Sequence, residues 1–365
     1  GDDKTAAILV ATSGDTGKAA LEGFKNVDKT KIIVFYPENG VSKIQQLQMT
    51  TQEGDNVFVG ALQGNFDDAQ SAVKAVFTDT EFNAELERRN IMLSSANSIN
   101  WGRLLPQIVY YFSSYCDLFL NEEITLGENV NFVVPTGNFG DILAGYYAKL
   151  MGLPVKKLIC ASNMNNILTD FINTGIYDMN RQFYTTSSPS MDILISSNLE
   201  RFLYDVVDKD YYRIKCWMHD LKTYGKYEVP NIVKQRINEV LWGGCCNEED
   251  TLMTIKDTFE AYGYIMDPHT AVAKNVYDQY LFKTQDCAKT IILSTASPFK
   301  FNKSVMTALK GERAKDTDEF LLLEELSNIT GMMLPEKLMQ LKNKQIRFDR
   351  VLHKNEIKDY INTIL

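Results

Sequence analysis

Apolar and polar positions fall along this chain in blocks of two kinds. Residues 6–11 (AAILVA) and 32–37 (IIVFYP) are almost uniformly apolar, and NVFVGAL (56–62) nearly so. Between and after them lie KAALEGFK, SKIQQLQMTTQ and DDAQSAVKAVFTD, whose apolar residues recur at helical spacing. In the last of these, Ala69, Ala72, Val73, Val76 and Phe77 share one helical face. Short apolar strands separated by amphipathic helices predict a parallel sheet covered on both faces. The theme returns at 131–134 with a helix over 142–151, at KKLICAS (156–162) and at TIILSTAS (290–297). Two such sets predict an α/β protein of two open α/β/α domains with a ligand cleft between them. Residues 190–260 and the tail beyond 303 are helical in pattern. The expected divisions are 1–125, then 126–305 with a mostly helical insertion near 190–260, then a helical tail over 306–365.

Composition narrows the chemistry. A length of 365 residues suits about two to three domains. With 38 basic against 47 acidic residues the net charge is −9, which argues against a nucleic-acid or membrane partner. Six cysteines include no C-x-x-C pair, and Cys245 and Cys246 are adjacent, so free thiols in a reducing cytoplasm are expected. The three histidines, His219, His269 and His353, are far apart, and no metal-ligand spacing is present. No stretch is apolar and long enough to span a bilayer. The start, GDDKTAAILVATSGDTG, is not a signal peptide and enters a strand within a few residues, as expected of a chain that has been cut into.

Candidate chemistry sits where strands end. In VVPTGNFGDI (133–142) an apolar strand stops at a proline, a glycine turn follows, and a helix begins at once. Free N–H groups and the positive end of the helix dipole converge there, so the place is built for an anion. SGDTG (Ser13–Gly17) repeats the arrangement. Ser13 or Asp15 could simply cap the helix and Gly14 and Gly17 simply make the turn, yet small hydroxyls and free N–H groups also hold a carboxylate. GNFG lacks the dinucleotide spacing, and no phosphate-loop signature of a nucleotide triphosphatase is present. In SANSINWGRLLPQ (95–107), Asn97, Ser98 and Asn100 precede a helix with Arg103 in its first turn. A cation there opposes the dipole and suits a third anion site. Finally, ILSTASPFKF (292–301) ends an apolar strand in hydroxyls.

ATSGDTGKAAL, NSINWGRLLPQIVYYF, VPTGNFGDILAGYYAKLMGLP, ASNMNNILTDF, SMDILISSNLERFLY, DPHTAVA and STASPFKF occur in this order. Together they closely resemble the threonine synthases, pyridoxal-phosphate (PLP) enzymes of the tryptophan-synthase-β type, PLP fold type II. The resemblance extends from about residue 8 to 301. It implies that Gly137, Asn138, Phe139, Gly140 and Asp141 cradle the cofactor phosphate. It also implies that Thr295 meets the pyridine nitrogen and that Asp15 lies by the cofactor. Ser13, Gly14 and Thr16 would hold the substrate carboxylate, and Ser98, Asn100 and Arg103 the substrate phosphate. The implied reaction takes O-phosphohomoserine and water to L-threonine and phosphate in the cytoplasm, in a monomer or weak homo-oligomer, with no metal.

One departure from the family pattern carries weight. The family's Schiff-base lysine lies in a Phe-Lys-Asp motif upstream of SGDTG, and neither Lys4 nor Lys25 has that context. The expectation is therefore a truncated enzyme whose catalytic lysine is absent from this sequence and which is inactive alone. STASP also has Ser297 where histidine is common. Two alternatives stay open: a threonine-synthase-like phospho-lyase that releases a 2-oxo acid, and a non-catalytic PLP-fold binding protein. A serine/threonine dehydratase fits NSINWGR less well.

Overall fold

The computed structural model describes residues 3–12, 14–312, 314 and 317–365. The chain begins with β1 (Thr5–Ala11), α1 (Asp15–Phe24), β2 (Thr30–Pro37), α2 (Lys43–Thr50), β3 (Val57–Leu62), α3 (Phe66–Thr78), α4 (Thr80–Arg88) and β4 (Ile91–Ser95). It continues with α5 (Trp101–Leu120), β5 (Val130–Pro135), α6 (Gly140–Leu150), β6 (Val155–Ser162), α7 (Ile167–Thr174), β7 (Ile176–Asp178), α8 (Leu199–Val206) and α9 (Tyr211–Tyr224). Then come β8 (Lys226–Glu228), α10 (Asn231–Val240), β9 (Leu241–Cys245), α11 (Glu248–Tyr262), α12 (Pro268–Thr284), β10 (Thr290–Ile292) and α13 (Asn302–Lys310). The tail adds α14 (Glu319–Thr330), α15 (Glu336–Met339), β11 (Val351–Leu352) and α16 (Ile357–Ile364).

Two compact units result, one made of residues 1–100 with 317–365 and the other of residues 101–316. The first holds a parallel sheet in the order β11-β3-β2-β1-β4. Its inner strands β1, β2 and β3 are buried on both faces along most of their length, which explains their apolar runs. Val10, Ile32, Val34 and Val59 pack with Leu21 of α1 and Met49 of α2. Each such side chain contributes about 1.5–3 kcal/mol by leaving water. The second unit holds a parallel sheet in the order β10-β5-β6-β9 and a separate antiparallel pair, β7 with β8. Val133 and Ile159 of this sheet pack on Val272, Ala273 and Val276 of α12.

Several elements differ from the sequence expectation. The helix expected to belong with residues 1–125, α5, falls in the second unit, where Tyr111 meets Phe132 of β5 at 4.9 Å between rings. The tail returns to the first unit and supplies its edge strand β11 as well as helices. The run 190–260 contains β8 and β9 among its helices. The strand expected over 290–297 ends at Ile292, so Ser294 and Thr295 lie beyond it.

Candidate functional site

The loop between β5 and α6 leads into a helix start with no side-chain cap. Helices α2 and α3 begin with Ser42 and Asn65, whose side chains accept the N–H three residues on. Helix α6 begins after Phe139, which cannot do this. Among the described residues, none of the N–H groups of Gly137, Asn138, Phe139, Gly140 and Asp141 finds an acceptor. Such a run of free amides at the end of a helix dipole is an anion nest. Phe139 has φ of 63°, a left-handed conformation that costs a bulky residue free energy. Its ring, 1% exposed, packs at 5.6 Å from Phe202 of α8 and holds it there.

The carbonyl side of the same loop is fully occupied. Ser196 Oγ donates to Gly137 O at 2.9 Å, and Asn198 donates to Asn138 O from its backbone N–H (3.1 Å) and Nδ2 (2.9 Å). Ser197 Oγ donates to Asn138 Oδ1 at 3.1 Å. With its acceptors tied to the segment before α8, the loop can present only donors. Gly137 is required for a steric reason: a Cβ there would come within 2.4 Å of the Ser190 carbonyl oxygen. Backbone donors on a loop with no room for a Cβ suit the chemistry of a phosphate monoester.

Asp141 does not face this mouth. Tyr111 Oη donates to Asp141 O at 2.8 Å and to its carboxyl Oδ1 at 3.2 Å, turning the acid towards α5. Burial pushes its carboxyl up to about 6, against a smaller opposing effect of the Tyr111 bond. The folded chain therefore holds an extra proton between about pH 4 and pH 6. The stability this gives is complete below the unfolded pKa and lost as pH rises through the folded one. Asp141→Asn, which mimics the protonated acid, should escape the loss. Its unfolding free energy relative to the parent should grow by about 2–3 kcal/mol from pH 4 to pH 7 in urea titrations. A difference constant across that range would show that Asp141 ionises normally.

Thr295 lies just past β10, the neighbour of β5 in the sheet, and is exposed. Among the described residues its hydroxyl has no partner. Thr295 and the 137–141 loop thus follow adjacent parallel strands at the same, carboxyl-terminal end of the sheet.

In the first unit the SGDTG loop joins β1 to α1. Ser13 lies outside the described residues. Gly14 has φ of 135°, and a Cβ there would come within 2.4 Å of Gln45. Gln45 Nε2 donates to Asp15 at 3.0 Å. Thr12 Oγ1 accepts from both Gly14 N–H (3.0 Å) and Gly17 N–H (2.8 Å), which fixes the turn and uses two of its donors. The N–H and hydroxyl of Thr16 donate to no described group. Asn97 ties this loop to the next one: its Oδ1 accepts from Ala11 N–H at 3.2 Å and its Nδ2 donates to Ala11 O at 2.5 Å. Asn100 donates through Nδ2 to Ser95 O at 2.7 Å, and Ser98 lies between the two asparagines. The ends of β1 and β4, carrying SGDTG and SANSIN, are therefore side by side. Arg103 stands half-buried in the first turn of α5, in the second unit, where burial lowers its pKa from the ordinary value.

Sequence reasoning assigned no role to Thr12, Gln45, Tyr111, Ser196, Asn198 and His269. Ser196 and Asn198 lie in SMDILISSNLERFLY and His269 in DPHTAVA, but their partners lie some sixty to eighty residues away in the chain. Among the described residues no group of three or more His, Cys, Asp and Glu side chains could hold a metal ion.

Residues 270–361 match the family model for the C-terminal part of threonine synthase. The chain is 44% identical over 317 residues to human threonine synthase-like 1, covering 85% of this chain and 42% of that protein. It therefore spans less than half the length of that relative. It is 37% identical over 374 residues to threonine synthase of Saccharomyces cerevisiae, covering 98% of this chain and 70% of the yeast protein. The crystal structure of PLP-bound threonine synthase from Brucella melitensis superposes with a TM-score of 0.82 at 38% identity, covering 99% of this chain and 71% of the other. The parallel sheets, the uncapped β5–α6 loop and this similarity over nearly the whole chain agree: the chain belongs to the threonine synthase family.

Proposed function

We propose that this chain forms part of a PLP-dependent threonine synthase, acting on O-phosphohomoserine and water to yield L-threonine and phosphate. The observation that carries the reading is the run of unpaired amides from Gly137 to Asp141 at an uncapped helix start. These amides hold the cofactor phosphate, with Gly140 keeping the first turn free of a side chain. When bound, PLP supplies an electron sink for the carbon acid of the substrate. The Thr295 hydroxyl meets the pyridine nitrogen; being neutral, it orients the ring without fixing a proton on it. Asp15, held by Gln45, lies by the cofactor ring. Ser13, Gly14 and Thr16 hold the substrate carboxylate, and Ser98, Asn100 and Arg103 its phosphate. No lysine of this chain is assigned to the covalent link.

The enzyme is read as cytoplasmic, as a monomer or weak homo-oligomer, with no nucleic-acid or membrane partner. All six cysteines are free, which suits a reducing compartment, and among the described residues no helix is long and apolar enough to cross a membrane. The test is product analysis on the whole protein with PLP and O-phosphohomoserine. L-threonine and phosphate in equal amounts are expected. A 2-oxo acid with phosphate would make it a phospho-lyase, and PLP binding without turnover a non-catalytic binder.

A further inference from the structure

The wall that closes the phosphate loop is itself held in place by a histidine. Ser190 lies in a single 3-10 turn, Pro189–Met191, whose Ser190 carbonyl and Met191 Cα stand against Gly137. On one side the turn is pinned by Asp192, which accepts from Thr186 N–H (2.9 Å), Thr186 Oγ1 (2.7 Å), Asn163 Nδ2 (2.7 Å) and Asn165 Nδ2 (3.0 Å). Between these anchors and Gly137, the Ser190 N–H donates to His269 Nε2 at 3.3 Å. His269 is 3% exposed, and its Nδ1 lies 2.7 Å from Asp267 Oδ1. Asp267 also accepts the backbone N–H of His269 (2.9 Å) and the Thr270 hydroxyl. The Phe301 ring closes on the imidazole at 4.8 Å.

This arrangement leaves one tautomer. A carboxylate facing Nδ1 requires the proton there, and the Ser190 N–H then finds a lone pair on Nε2. The buried Asp267 fixes the imidazole, the imidazole fixes the Ser190 peptide, and the Ser190 carbonyl sets how closely the Gly137 backbone approaches. We infer that His269 is a positioning residue for the phosphate loop, acting through Ser190 on the aim of the Gly137 and Asn138 amides, an inference that rests on the loop's binding a phosphate.

The test compares His269→Gln with His269→Asn in the whole protein, with binding of PLP and of pyridoxal, which lacks the phosphate, as the readout. Glutamine can place an acceptor where Nε2 was; asparagine reaches only the Nδ1 position and withdraws the acceptor that His269 offers to the Ser190 N–H. The parent should prefer PLP strongly over pyridoxal. His269→Asn should lower that preference by about tenfold, the effect of one lost hydrogen bond. His269→Gln should restore it to within about threefold, and pyridoxal affinity should be nearly the same in all three. Because both variants lose the same ring packing, a common folding defect would lower both ligands and both variants alike, and that result overturns the inference. So does an unchanged preference in His269→Asn. A parent that shows no preference for PLP overturns the phosphate reading itself, and the inference with it.

Discussion

Gly137→Val should lower PLP affinity by roughly a hundredfold. The added Cβ falls 2.4 Å from the Ser190 carbonyl oxygen, and that backbone atom cannot swing aside like the end of a long side chain. Ser190 is held by His269 and its turn by Asp192, so relief comes through movement of the Gly137 loop instead. Each amide turned away from a phosphate oxygen forfeits a charge-assisted bond of at least about 1.5 kcal/mol, so two such losses at that lower bound give the expected hundredfold. Gly23→Ala is the matched control. Gly23 sits inside α1 with nothing within 4 Å of its added Cβ, so alanine should be neutral or stabilise by about 0.5–1 kcal/mol. Titration of both variants with PLP, followed by its absorbance, separates the cases. Wild-type affinity in Gly137→Val would move the cofactor phosphate elsewhere.

Arg103→Ala should weaken O-phosphohomoserine by about 10- to 150-fold, the range of one charge-assisted contact of roughly 1.5–3 kcal/mol. Arg103 lies half-buried in the first turn of α5, where a cation opposes the dipole unless an anion shares the helix end. An unphosphorylated amino acid binding beside the cofactor should hardly notice the change. The check is a pair of spectrophotometric titrations in the whole protein, one ligand with and one without the phosphate. Equal losses for both would assign Arg103 a structural role.

What the sequence displays depends on how far each residue's partners lie from it. Buried parallel strands announce themselves because most of their positions are apolar, so β1, β2, β3, β5 and β6 were legible. β9 was hidden because its LWGGC carries two glycines. Gly243 is small so that α7 can lie directly on the strand: a Cβ would stand 3.2 Å from both Thr169 Cα and Ile172 Cβ. β11 has only two residues, and nothing local marks it as a strand; the open edge of β3 makes it one. At the site, the strand-turn-helix of 133–142 was readable from spacing alone. Asn163, Asn165 and Asp192 read as polar loop residues, yet they are 0–4% exposed and bind one another across the chain. Burial of a polar side chain is invisible until its partners are known. The same holds for His269, which accepts from a peptide some eighty residues earlier while Asp267 holds its other ring nitrogen.

The first unit is discontinuous, and that has a consequence for how the molecule is made. Its sheet is completed by β11, with Arg350 O and Leu352 O accepting from Ala61 and Gln63 at 3.0 Å, and Tyr360 Oη donates to Val59 O at 3.0 Å. During synthesis β3 leaves the ribosome with this edge bare, and all of residues 101–316 must be translated before its cover arrives. At roughly 5–20 residues per second the wait is on the order of ten seconds or more. For that time the nascent chain presents a flat apolar strand edge to its surroundings, the geometry that invites intermolecular pairing. The second unit, whose contacts all lie within one stretch of chain, is free to fold first, leaving the older end of the polypeptide to close last.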